Sequence, residues 1–237
     1  MPLVFFLISL IPSVVFYFWM KKDPAETDEY RAQCRAALGH GLFCAVPVFI
    51  GSSLIALIGS LVFKINTTDP VLKEFYKNFF TIAMVEEGVK CAALLYTLKK
   101  ESRPSWLRII VYMVIIGIGF EAIEGLVYMF ISSPVQILVR GVTLMHGVFG
   151  FIMGYFIGKG RKTGKKIYYV LGYMIPYLMH ASYDFTLQDT VIEWNDNLVF
   201  VCVNLAIISF GLFIYMYFFM KKARRNLAYT QSIIHTS

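Results

Sequence analysis

Carboxylates and imidazoles stand inside stretches of this sequence that are otherwise apolar enough to cross a lipid bilayer. That conflict constrains the chain more than any other feature. Glu86, Glu87, Glu124, His146, His180 and Asp184 form the main set, with Lys90, Glu121 and Arg140 nearby in sequence. An ionisable side chain in hydrocarbon costs about 2.5–3.5 kcal/mol or more unless it faces protein or water. Each such residue is therefore a functional-site candidate by default, and a set this large predicts a catalytic or transport centre.

Composition decides the class of protein that carries the conflict. With 58% hydrophobic and 16% charged residues over 237 positions and a mean hydropathy of +0.64, an ordinary soluble domain is excluded. Runs long enough to span, at roughly 20 apolar residues each, fall near 3–20, 42–63, 79–98, 109–131, 136–158, 168–187 and 198–220. The expected fold is all-α: a polytopic membrane helix bundle of about seven transmembrane helices, forming one integral membrane domain over 1–237. The first run lacks a basic flank before it and a small-residue cleavage site after Trp19, so it reads as a retained span, not a signal peptide.

Lysine and arginine set the expected orientation, because short basic loops stay in the cytoplasm. Segments 21–41, 99–108, 159–167 and 221–237 hold 4, 4, 5 and 4 basic residues, whereas of the alternate segments only 64–78 holds any, namely Lys64, Lys73 and Lys77. The N-terminus is expected outside and the C-terminus inside. The net charge of +7 is then mostly topological bias with some attraction to anionic lipid, and no argument for nucleic acid.

Orientation converts position into depth. The third run enters from outside, which puts Glu86 and Glu87 about 10 Å below the outer surface. Glu124, His180 and Asp184 fall near the outer ends of their own runs, Arg140 near the outer rim and His146 deeper. A water-accessible cavity open to the extracytoplasmic side is the expectation. Helical spacing supplies partners: Lys90 is i+4 from Glu86 and i+3 from Glu87, so one acid can be neutralised while the other stays free. His180 and Asp184 are also i,i+4, the spacing at which a carboxylate fixes an imidazole tautomer. Glu121 and Glu124 share a face, and His146 is isolated on its helix. Five acids and two histidines exceed what Lys90 and Arg140 can neutralise, so some carboxylate is left for general-base work.

Small residues accompany the charges. Gly117, Gly119 and Gly125 flank the acids of the fourth run, and Gly150, Gly154 and Gly158 form a small-xxx-small series that lets helices approach closely in lipid. Pro47 and Pro176 interrupt spans, Pro176 one turn before His180. Cys34, Cys44, Cys91 and Cys202 have no ligand spacing and read as buried thiols. The segment 64–78 is the longest outer connection and the natural place for a gate.

In this order, Glu86-Glu87-x-x-Lys90, Phe120-x-x-x-Glu124, His146 and His180-x-x-x-Asp184 resemble the motifs of the PrsW intramembrane proteases, relatives of the CAAX prenyl endopeptidases. Gly119-Phe120, Arg140, Gly150-x-x-x-Gly154-Tyr155-x-x-Gly158 and His180-Ala181-x-x-Asp184-Phe185 extend the match over roughly 80–187. Glu121 and Gly125 depart from it, where relatives often carry a small residue and Asn. The resemblance implies cleavage of a single-pass membrane protein, typically an anti-sigma factor, on the extracytoplasmic side of a bacterial cell membrane. It implies Glu86 or Glu87, with Glu124 and His146, as the groups that activate water. His180, oriented by Asp184, would stabilise the oxyanion, with Lys90, Phe120 and Arg140 in support.

Metal involvement stays open at this level. Zinc would draw its ligands from Glu87, Glu124, His146 and His180, yet there is no His-Glu-x-x-His motif. A proton- or ion-coupled transporter would also gather Glu, His and Asp in a bundle, but the inverted repeats and broken helices common in transporters are not visible.

Overall fold

A computed structural model describes residues 2–22, 27–61, 69–101, 104–131, 143–195 and 197–236. All regular structure among these residues is helical. The chain runs through α1 (Pro2–Met20), α2 (Asp28–Phe43), α3 (Ala45–Leu61), α4 (Pro70–Tyr76), a π-helical segment (Lys77–Ala83), α5 (Met84–Leu98) and α6 (Trp106–Ile131). It continues through α7 (Met145–Thr163), α8 (Ile167–Thr186), the short α9 (Asp189–Trp194) and α10 (Asn197–Thr236). Leu3–Met20, Asp28–Leu61 and Trp106–Phe130 are each long and apolar enough to cross a bilayer by length and composition.

The all-α membrane bundle expected from hydropathy is what forms, with α6 at its centre. From Ile109 to Ile116 every α6 side chain is buried, so this helix is apolar all round because protein surrounds it all round. Helices α1, α2, α5 and α7 pack on it. By contrast α1 and α3 leave Leu7, Ile11, Phe49 and Leu57 exposed, as a lipid-facing surface requires.

Close approach between α6 and α7 depends on glycine. A Cβ on Gly150 would stand 2.7 Å from the Met113 carbonyl oxygen, and one on Gly154 2.8 Å from the Ile110 Cα, so both helices pack backbone to backbone. The small-xxx-small series thus marks a real helix seam.

Two stretches expected as connections are helical. Residues 28–43, within the segment read as a basic loop, form α2. Thr27 caps it by accepting the Tyr30 N–H at 3.1 Å, and Asp28 and Glu29 occupy its first turn. Tyr30, Cys34, Ala37 and Gly41 are buried along one face, and Gly41 lies against Ile116 and Gly119 of α6. A stripe of small residues at helical spacing carried that packing, although the segment's charge masked it. Residues 70–78, within the supposed outer loop, begin a helix that runs on into α5, with Asp69 accepting the N–H groups of Val71 and Leu72. Residues 64–68 of the supposed gate and Arg140 lie outside the described residues. Pro47 falls in the first turn of α3, where proline is tolerated, whereas Pro176 is inside α8. Cys34 and Cys44 are buried free thiols and Cys91 is partly buried; the Cys202 side chain lies outside the described residues.

Candidate active site

Four helices each deliver a part of one buried polar centre. Glu86, Glu87 and Lys90 come from the first two turns of α5, Phe120 and Glu124 from α6, His146 from the first turn of α7, and His180 and Asp184 from the last two turns of α8.

Local backbone features aim these side chains. The π-helical turn Lys77–Ala83 ends immediately before α5 and resets the rotation at which Glu86 and Glu87 leave the helix. Side chains from neighbouring helices hold this stretch: the Ser52 hydroxyl donates to the Thr81 carbonyl at 2.7 Å and the Tyr173 hydroxyl to the Met84 carbonyl at 2.9 Å. Before α7, Leu144 adopts a left-handed backbone (φ 47°, ψ 39°), a conformation that costs a non-glycine residue on the order of 1–3 kcal/mol and persists only where surrounding packing enforces it. His146 then follows in the opening turn of α7, with its carbonyl pressed against Gly117 of α6, where a Cβ would collide with it.

Lys90 is the hub. Its Nζ donates to Glu87 Oε1 at 2.6 Å and to His146 Nδ1 at 3.0 Å, and lies 3.7 Å from Glu86 Oε2 and 4.6 Å from the Phe120 ring centroid. An ammonium can only donate, so Nδ1 of His146 is the acceptor, and its Nε2–H donates to Glu124 Oε2 at 2.8 Å. His180 stands between carboxylates, with Nδ1 2.9 Å from Glu87 Oε1 and Nε2 3.2 Å from Asp184 Oδ2 and 3.9 Å from Glu86 Oε2. The spacing arguments therefore hold for Glu87 with Lys90 and for His180 with Asp184. His146, alone on its own helix, is joined to two others.

Glu86 and Glu87 each bury an Oε2 that has no hydrogen-bond partner, an arrangement that costs about 1–3 kcal/mol or more for a charged group. One ligand atom each from Glu86, His146 and His180 lie within 4.8 Å of one another, enough to hold a metal ion. The two histidines in this group match the zinc set offered by the sequence, with Glu86 as its carboxylate in place of Glu87 and Glu124. How both adjacent glutamates reach the histidines depends on helix rotation, and spacing along one helix does not encode that. Lys90 lies within reach of both Glu86 and Glu87, while His146 meets Glu124 and His180 meets Asp184.

Aromatic rings complete the walls. Phe149 stacks on His180 with centroids 5.2 Å apart and planes at 23°, and Phe120 meets the His146 ring edge-on at 5.0 Å. Phe149 and Tyr173 were not singled out by sequence. Phe149 sits one turn beyond His146 on the same face, a signal that could have found it; Tyr173 acts through a backbone carbonyl on another helix and left no signal.

A buried Glu/His/His group beside a lysine-held glutamate is suited to peptide hydrolysis, and relatives of the chain point the same way. The family model for PrsW family intramembrane metalloproteases matches residues 31–220. Protease PrsW of Clostridioides difficile is 31% identical over 220 residues, covering 88% of each chain. Protease PrsW of Oceanobacillus iheyensis is 28% identical over 144 residues, 59% of this chain and 67% of its own, and that of Bacillus subtilis 28% identical over 119 residues, 48% and 55%. No solved structure matches the chain. With the matched region taking in every helix that builds the centre, the chain belongs to the PrsW family and is a membrane protease.

Proposed function

We propose that this protease is an endopeptidase that cuts a single-pass membrane protein in the outer half of a bacterial plasma membrane. The substrate is an anti-sigma factor, and the cut is the first of a signalling cascade. The observation that carries this reading is the buried Glu86–His146–His180 group, in which Glu86 Oε2 accepts no hydrogen bond. The lysine bias between the apolar runs supports an outward-facing site.

A divalent cation suits these residues. The buried Glu86 Oε2 accepts no hydrogen bond, and carboxylate with two imidazoles is a ligand set that zinc accepts. When bound, such an ion supplies Lewis acidity toward a peptide carbonyl and toward water. Glu86, His146 and His180 would hold it. Because Nε2 is the His180 nitrogen near Glu86, Glu87 would orient that imidazole through Nδ1. Glu87 Oε1 is held by Lys90 and His180 and so serves to set the position of both. Glu124, with 16% of its side chain exposed against 7% for Glu86 and none for Glu87, is the carboxylate that water reaches. In this reading it takes the proton from the attacking water and returns it to the leaving amine.

One observation favours a metal-free variant. Both ring nitrogens of His180 face carboxylates, so a doubly protonated His180 would be held in place and would transfer its Nε2–H hydrogen bond from Asp184 to the oxyanion while Glu86 and Glu124 activate water. The test is cleavage of a co-expressed single-pass anti-sigma factor by wild type and by Glu86→Gln, with membrane levels of both enzymes checked. Cleavage by wild type alone supports the proposed centre, and equal cleavage by both sinks it. Repeating the purified reaction after chelation distinguishes the two chemistries: activity that disappears and returns with zinc selects the metal.

A further inference from the structure

The polar centre lies toward the C-terminal end of α6; a second hollow lies at its other end and belongs to none of the chemistry above. Between the start of α6 and the later turns of α10 is a cavity of about 510 Å³, within the size range of small-molecule sites. Trp106 and Ile110 form one wall, Tyr215 and Phe219 the other, and Lys222 and Asn226 line it one turn further along α10. We propose that this groove binds an anionic phospholipid.

The sequence of α10 shows why charge and apolar surface meet here. The helix is apolar through Met220 and then turns basic at Lys221, Lys222, Arg224 and Arg225. That switch marks a boundary between hydrocarbon and water, so the groove straddles it. Its aromatic part lies at acyl-chain depth and Lys222 at headgroup depth. Arg224 is committed elsewhere, since it donates to the Met20 carbonyl and covers the Trp19 ring at 4.7 Å. Lys222 is exposed and lines the groove directly. A second ammonium, Lys162 of α7, stands 5.7 Å from the centroid of the Trp106 ring. Trp106 is fixed by donating its indole N–H to the Tyr155 carbonyl at 2.9 Å, so this wall is preformed.

An apolar slot with Lys222 at its wet end and Lys162 beside its Trp106 wall suits a headgroup of net negative charge that carries acyl chains. Basic pockets between membrane helices bind acidic headgroups on these terms. A zwitterionic lipid would fill the slot, but its choline cation would oppose the ammonium groups that its phosphate meets.

The experiment is native mass spectrometry of the full chain in neutral detergent, titrated with phosphatidylglycerol or phosphatidylcholine of identical acyl chains. Wild type should take up one phosphatidylglycerol with a preference on the order of ten-fold over phosphatidylcholine. Lys162→Glu with Lys222→Glu should bring that preference to about one, and Ala223→Trp, which fills the groove, should lower uptake of both lipids. Thermal melting of each variant checks folding. If the double substitution unfolds the protein, Lys222→Gln alone gives the same reading with a smaller change. Equal uptake of both lipids by wild type, or an undiminished preference in the charge variant, would overturn the proposal.

Discussion

The two ends of α6 each carry a buried polar cluster, and they differ in one respect that separates architecture from chemistry. Near its start, Glu101 is fully matched: Arg108 donates to Oε1 at 2.8 Å and Tyr112 to Oε2 at 2.6 Å, while the Arg108 guanidinium covers Tyr30 at 4.8 Å. One acid meets one base, and both carboxylate oxygens have a donor. Toward the other end, Glu86 and Glu87 share Lys90, and among the described residues one buried oxygen of each accepts no hydrogen bond. Burial is common to both clusters. Imbalance belongs to one, and a cluster that is unbalanced in the resting protein is one built to accept something further, be it a cation, a proton or a reacting group.

Substitutions can break this contrast from either side. The largest effect is expected at the unbalanced end, where Glu86→Gln and His180→Ala should each lower cleavage by roughly three orders of magnitude or more. Glu86→Gln should not depress the melting temperature of the metal-free protein, because it removes a buried charge that accepts no hydrogen bond at Oε2, whereas His180→Ala takes partners from Glu87 and Asp184 and should lower it. A large loss of stability in Glu86→Gln would place that cluster with the structural one. At the balanced end, Glu101→Ala leaves Arg108 without its buried partner and should destabilise by about 3–5 kcal/mol. Cleavage per folded molecule should be unchanged. A specific loss of activity at full stability would show that Glu101 is not merely architectural. Between the two lies Gly117→Ala, which pushes on the His146 carbonyl. A shift of about 1 Å in a reacting group is enough to lower turnover by around a hundred-fold, so kcat should fall by up to that factor with the protein still inserted. Gly147→Ala is the control, since its Cβ would meet nothing nearer than 3.8 Å.

The sequence carried the balanced and unbalanced ends unequally. Contacts set by one helix's own period were legible: Glu87 with Lys90, His180 with Asp184, and the glycine seam at Gly150 and Gly154. Contacts that depend on how helices rotate against each other were not. His180 with Glu87, His146 with Lys90, and the approach of Glu86 to both histidines all belong to that class. Glu101 drew no notice because it lies between apolar runs, where charge is the ordinary expectation. The α2 helix hid for the same reason, its basic residues outweighing the buried stripe of Cys34, Ala37 and Gly41.

The smallest expected effect concerns what fixes that rotation. The π-helical turn before Glu86 and Glu87 is held from outside by Ser52 on Thr81 and by Tyr173 on Met84. A single hydrogen bond of this kind contributes about 0.5–1.5 kcal/mol, so Tyr173→Phe should slow cleavage by only a few-fold. Because the hydroxyl acts on the backbone that carries the glutamates, the loss should appear in kcat and leave KM unmoved. Ser52→Ala should behave alike, and the double variant should lose no more than the product of the two. If Tyr173→Phe instead raises KM at constant kcat, the hydroxyl contacts substrate, and the orientation of Glu86 is set by the π turn and the Lys90 pairing alone.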